Sequence, residues 1–193
     1  DIKLLISRTG WSSELGYEIF LLNEFQGDQL YEEIMQTGHK MGLKPGHTST
    51  IRRIEGGMLS YHADMDMNTN PLELGLEKFI DLDKDFDFIG KSALLNIREE
   101  GIHRKQVGLE ISGEIIIGSN TRFWNIYKDN IVIGIVTSAV YSPRLKKNIA
   151  LAIIKSNYSM IGTELQVDKG SITVGARVVE KPFYDSKKGI ANS

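Results

Sequence analysis

Residues 7–22, SRTGWSSELGYEIFLL, read as a strand, a polar turn and a second strand, yet they place an indole and a carboxylate where a plain hairpin needs neither. Strand side chains alternate, so Glu18 and Phe20 share one face while Tyr17, Ile19 and Leu21 share the other. Glu18 therefore interrupts an apolar neighbourhood. A carboxylate offers two acceptors in one plane and suits a ligand that presents two adjacent N–H donors, such as an aminopyrimidinone ring. Trp11 supplies a flat platform for an aromatic ligand. Each residue also has a plainer use: a strand glutamate is usually an exposed edge residue, and a loop aromatic often covers a sheet.

Other candidates are weaker. His39, His47, His62 and His103 are scattered, with no pair at helical or strand spacing, so they read as single histidines rather than zinc or iron ligands. The stretch DMDMN, residues 64–68, lacks the glycine and closing glutamate of a calcium loop and reads as a solvated turn. The basic loop YSPRLKKN, with Arg144, Lys146 and Lys147, offers charge to an anion but also reads as ordinary surface. GLKPGHTST precedes a helix start, where free amides can hold phosphate, but carries neither the phosphate-loop lysine nor the dinucleotide fingerprint.

These side chains must be held by a fold, and the pattern changes near residue 100. Before it, strands alternate with helices. YEIFLL is followed by a helix with Leu30, Ile34 and Met41 along one face and Gly42 as its stop. A second helix is expected over residues 48–60, capped by Thr48 or Ser49, with Ile51, Ile54 and Met58 inward. A third is expected over 92–99, stopped by Gly101. NTNPLELG carries a turn, and KFIDL reads as a short strand. From Lys105 onward short strands follow one another, with hairpins at Asp129-Asn130 and Lys169-Gly170, which argues for a small antiparallel barrel or sandwich. The tail after Phe183 is polar and reads as mobile.

Composition limits the function. The 193 residues, 41% hydrophobic and 25% charged, can bury a substantial core. A net charge of −2 with mixed signs gives no stripe for a phosphate backbone, so nucleic acid is not expected as a partner. No apolar run has membrane-spanning length, no membrane partner is expected, and a cytoplasmic location is. Zero cysteines remove disulfides, thiolate metal sites and cysteine nucleophiles together. Because KLLIS is already a strand at residue 3, the chain reads as a fragment whose partner elements lie upstream.

Four stretches, SRTGWSSELGYEIFL, RIEGGMLSYHADMDMNTNPLELGL, DFDFIGKSALL and GIVTSAVYSPRLKKNIALAII, stand in the order and at about the spacing of the tetrahydrofolate-dependent aminomethyltransferase family. That family includes the glycine-cleavage T-protein, the folate-binding halves of sarcosine and dimethylglycine dehydrogenases, and dimethylsulfoniopropionate demethylase. The resemblance runs to about Ile154 and continues weakly to Phe183. It implies an α+β chain: residues 1–97 as the later part of an α/β folate-binding domain, and 98–193 as a small antiparallel β-barrel domain. It also implies a tetrahydrofolate site in which Glu18 grips the pterin's paired N–H donors, Trp11 lies against the cofactor, and Phe20 stands beside them. The implied partners are a small one-carbon donor, amine or sulfonium, and the N-terminal part of the same protein. No catalytic residue is carried over, because the family's catalytic aspartate lies in that N-terminal portion.

The departures bear on the substrate. Ser49 stands where T-proteins have a folate-holding arginine, which counts against glycine cleavage itself; dimethylsulfoniopropionate demethylase resembles this chain both in lacking that arginine and in having Trp in the turn. His62 and Ala63 replace a usual glycine and polar residue, so the local backbone is expected to differ. The alternative to an enzyme part is a non-catalytic folate-binding or regulatory module derived from the family.

Overall fold

The computed structural model describes residues 1–190. Its first element is a strand, β1 (Leu4–Ser7), paired antiparallel with β2 (Glu18–Leu21), Ser7 opposite Glu18. Helix α1 (Gly27–His39) follows. It stops where the Leu43 amide reaches back to the Gly38 carbonyl and Gly42 adopts a left-handed φ of 83°, which glycine tolerates without a Cβ clash. Met41 therefore lies beyond the helix rather than on its face.

Helix α2 (Thr50–Glu55) is shorter than its sequence pattern suggests. Ser49 caps it by accepting from the Arg52 amide at 3.3 Å, and Gly57, at φ 65°, turns the chain away. Met58 is thus in the following loop, although Ile54 is fully buried as expected. KFIDL is not a strand: a single 3₁₀ turn occupies Glu77–Phe79, and no strand among the described residues pairs with its backbone. Helix α3 (Lys91–Glu100) ends at Gly101, φ 86°.

Six strands then close an antiparallel barrel: β3 (Arg104–Ile111), β4 (Trp124–Lys128), β5 (Ile131–Ser142), β6 (Lys147–Lys155), β7 (Glu164–Asp168) and β8 (Thr173–Val179), ordered β3-β6-β5-β4-β7-β8. Closure leaves no free sheet edge. At the β4–β5 hairpin both Asp129 and Asn130 have positive φ, 51° and 62°, the primed turn that matches strand twist. Gly134 permits the close approach of β5 to β6, since a Cβ there would collide with the Ile153 carbonyl.

Strand β6 explains why its apolar run does not alternate with polar residues. Ala150, Ala152 and Ile154 fill the barrel interior, while Ile149 and Leu151 pack outward with Val140 against Ile54 of α2. Both faces are buried. The segment after β8 returns to α2, where the Phe183 and Tyr184 amides donate to the Glu55 carbonyl at 2.8 and 3.2 Å. The tail is thus joined to α2 at its start. The Asp185 carboxylate also receives the Gly189 and Ile190 amides. Residues 191–193 lie outside the described residues.

Candidate functional site

The turn between β1 and β2 is anchored rather than loose. Gly56 leaves room for Ser13 to lie directly on the end of α2; a Cβ at Gly56 would occupy the Ser13 hydroxyl's place. The Glu14 carboxylate meets Arg144 at 2.8 Å and Arg52 at 3.3 Å, and the Arg144 guanidinium stacks over Tyr184 at 4.0 Å. Behind them Glu55, almost fully buried, accepts from Ser142 at 2.5 Å. The basic loop that had read as surface thus holds the turn through Arg144, and Lys147 pairs with Glu110 at 2.6 Å.

Trp11 projects from this turn, half-exposed, with the Arg53 guanidinium over its ring at 5.5 Å. It lines a cleft of about 400 Å³ together with Met58, Phe79, Lys78, Lys181 and Lys188. Glu18 is exposed on β2, and one of its oxygens accepts from the Thr9 hydroxyl. Phe20 is 49% exposed. Neither Glu18 nor Phe20 lines the Trp11 cleft. The two strand residues share one face as alternation requires, and the indole stands apart from them.

Asp64 corrects the sequence reading most sharply. It was expected in a solvated turn; it is 1% exposed and ion-paired with Arg53 at 2.7 Å. Its other oxygen receives the Thr137 and Ser138 hydroxyls at 2.6 and 2.7 Å, and the Ser60 amide donates to the oxygen facing Arg53. Arg53 also donates to Ser138 at 2.8 Å. A bulge in β5 between Val136 and Ser138 supplies both hydroxyls, as bulges do by re-aiming side chains. Asp66 to Asn68 keep the expected exposed turn, with the Asn68 amide on Asp66 at 2.8 Å. Asp64 and its hydroxyl partners are over 70 residues apart, so no local pattern marks the group.

His62 takes φ 68°, the left-handed region, and its amide donates to the Met65 carbonyl at 2.8 Å. The backbone here takes a conformation natural to glycine although the residue is not one. Ser49 serves as the cap of α2. Among the described residues, no helix is long and apolar enough to cross a membrane.

The family model described as the GCVT N-terminal domain matches residues 1–84, and that of the glycine cleavage T-protein C-terminal barrel domain matches residues 104–185. The chain belongs to the aminomethyltransferase family of glycine-cleavage T-proteins. It is 40% identical over 186 residues to the aminomethyltransferase of Caldanaerobacter subterraneus subsp. tengcongensis, covering 95% of this chain and 48% of that protein. It is 39% identical over 189 residues to that of Bacillus velezensis, covering 96% and 50%. The crystal structure of glycine cleavage system aminomethyltransferase T from Bartonella henselae superposes with a TM-score of 0.78 at 21% identity, over 92% of this chain and 49% of that one. That likeness shows the fold, including the closed barrel expected of a T-protein chain. The chain spans about half the length of the curated relatives it matches.

Proposed function

We propose that this chain is the C-terminal part of a tetrahydrofolate-dependent one-carbon transferase, with residues 1–97 forming the later part of the folate-binding domain and 98–193 the barrel domain. Family membership supports the cofactor class. The observation that carries the site reading is the turn at residues 7–17, which several side chains clamp to α2 and the barrel while presenting Trp11 to a cleft and Glu18 to solvent. The residues fit a folate's chemistry. Glu18 has one oxygen engaged by a readily rotated hydroxyl, and its carboxylate is matched to the pterin's adjacent N–H donors. Trp11 offers an aromatic contact, with the Arg53 guanidinium over its ring. Phe20 lends apolar surface on the Glu18 face.

When bound, tetrahydrofolate supplies the nitrogen that accepts the one-carbon unit. This chain's residues bind and orient it, and orientation of two reactants supplies much of such a rate. The donor is a small amine or sulfonium compound, the N-terminal part of the same protein completes the pocket, and the setting is cytoplasmic. The exposed apolar surface of the β1–β2 sheet, Leu5, Ile6, Ile19 and Phe20 among it, supports that partner. Calorimetry with tetrahydrofolate tests the reading: this chain alone should bind weakly and turn nothing over, and the protein extended by the N-terminal part should bind tightly. Equal, sub-micromolar binding by both would place the whole pocket within this chain and remove the N-terminal part from it.

A further inference from the structure

The cleft beside Trp11 carries charge that a pterin contact leaves unused. Lys78, Lys181 and Lys188 all line it, and no Asp or Glu does. Among the described residues none of these three ammonium groups is ion-paired with a carboxylate. Lys78 lies over the Phe79 ring at 4.9 Å. Lys181, only partly exposed, donates to the Gln106 side-chain oxygen. Gln106, on β3, is 2% exposed, and its amide nitrogen has no partner.

A neutral amide thus holds a largely desolvated amine, and among the described residues no carboxylate lies within ion-pair distance of it. Burial lowers the Lys181 pKa to about 8; Glu77 and Asp64 oppose that shift and Lys105 reinforces it. A buried cation without a partner is costly, and so is an unpaired buried amide. The arrangement is relieved when an anion enters. The other walls, Trp11, Met58 and Phe79, are apolar, and the volume falls in the range of small-molecule sites, about 300–1,000 Å³.

We propose that this cleft binds a flat organic acid whose aromatic body lies against Trp11 and whose carboxylate is taken by Lys181, with Lys78 and Lys188 at the rim drawing the anion in. The identity of that acid rests on the folate reading: in a folate it is the benzoyl-glutamate limb, which makes Lys181 the residue that favours tailed folates over tail-less pterins.

The test is calorimetry of this chain with p-aminobenzoylglutamate at pH 7 and at pH 8.5, the latter in two buffers of different ionisation heat. Saturable binding is expected, weakened at least about tenfold by Lys181→Met and less by Lys188→Met. At pH 8.5 binding should take up a proton, because the carboxylate draws Lys181 back to its charged form. Lys181→Arg, which keeps the charge and does not titrate in this range, should bind without proton uptake, a signature that a merely structural lysine does not give. Absence of binding by the wild-type chain, or equal affinity of wild type and a folded Lys181→Met, overturns the proposal. If Lys181→Met does not fold, proton uptake persisting in Lys181→Arg overturns it instead. Glu18→Gln separates the two readings. It should leave p-aminobenzoylglutamate binding unchanged, so a failed pterin anchor spares the Lys181 effect, and a failed cleft spares the Glu18 effect on tetrahydrofolate.

Discussion

The barrel and the region before it use apolar residues in opposite ways. From Val107 to Val178 the strands bury most of theirs, Leu109, Ile126, Val136 and Val167 at 0% exposure, and leave Ile131 and Val132 open at the start of β5. Before residue 104 the buried apolar residues are Ile54, Leu72, Leu74 and Leu82, while Leu5, Ile6, Phe20 and Phe25 are 49–90% exposed. A closed barrel satisfies its own backbone and packs its own interior; a two-stranded sheet can do neither and is at best marginal without a covering layer. The first region is held where it touches the barrel, through α2 and the buried Arg53–Asp64 pair, and is bare where it does not.

That contrast is most exposed to test at the joint. Asp64→Ala strips Arg53 of its counter-charge and two hydroxyls of their acceptor. Breaking one side of a buried pair costs about 3–5 kcal/mol, so urea denaturation of this chain should show loss of most of its stability. A change below about 1 kcal/mol would mean that α2 is not fastened to β5 by this pair.

The same truncation in the two regions sharpens the comparison. Leu109→Ala, inside the barrel, should cost about 2–5 kcal/mol. Ile6→Ala, on the open sheet, should stay within about 0.5 kcal/mol in this chain. In protein carrying the N-terminal part, the Ile6 effect should grow toward the Leu109 value if that part covers the sheet; identical small effects in both would show the face to be free surface.

Glu18→Gln concerns ligand rather than fold. It keeps the shape, replaces one acceptor by a donor and removes the charge, and a charge-assisted hydrogen bond contributes roughly 1.5–3 kcal/mol. Tetrahydrofolate affinity of the protein with its N-terminal part should fall about ten- to a hundredfold, with thermal stability unchanged. A wild-type dissociation constant would remove Glu18 as pterin anchor.

The last effect is a pH slope. Lys181 loses its proton near pH 8 in the folded protein and at about 10.5 when unfolded. Between those values the unfolded state binds more protons, so this group's contribution to stability rises with pH across that window. Denaturation of wild type and Lys181→Met at pH 7.5 and 10 should show the wild type gaining relative to the variant; parallel curves would place the amine in ordinary solvent.

The barrel was readable because its signals are local. The turn residues at Asp129-Asn130 and at Gly170 adopt positive φ, and β5 between them is rich in β-branched residues. The strand-turn-strand of Trp11 and Glu18 was readable for the same reason, as were the glycine stops of α1 and α3. KFIDL misled because its composition suits a strand but no partner strand stands beside it. DMDMN misled in the other direction: acids near an asparagine look solvated until a bulged strand far along the chain brings hydroxyls to Asp64.

By itself, then, the order of residues determined the barrel strands and their turns, which depend on side-chain type, period and backbone sterics over a few neighbours, and, through four motifs in register, the family resemblance. Only the tertiary structure decided that Arg53 and Asp64 form the joint, that Arg144 clamps the turn through Glu14, and that Trp11 lines a cleft with three lysines rather than with Glu18. Charge pairing and burial depend on distances through space, which strand closure and a single bulge set between residues far apart in the chain.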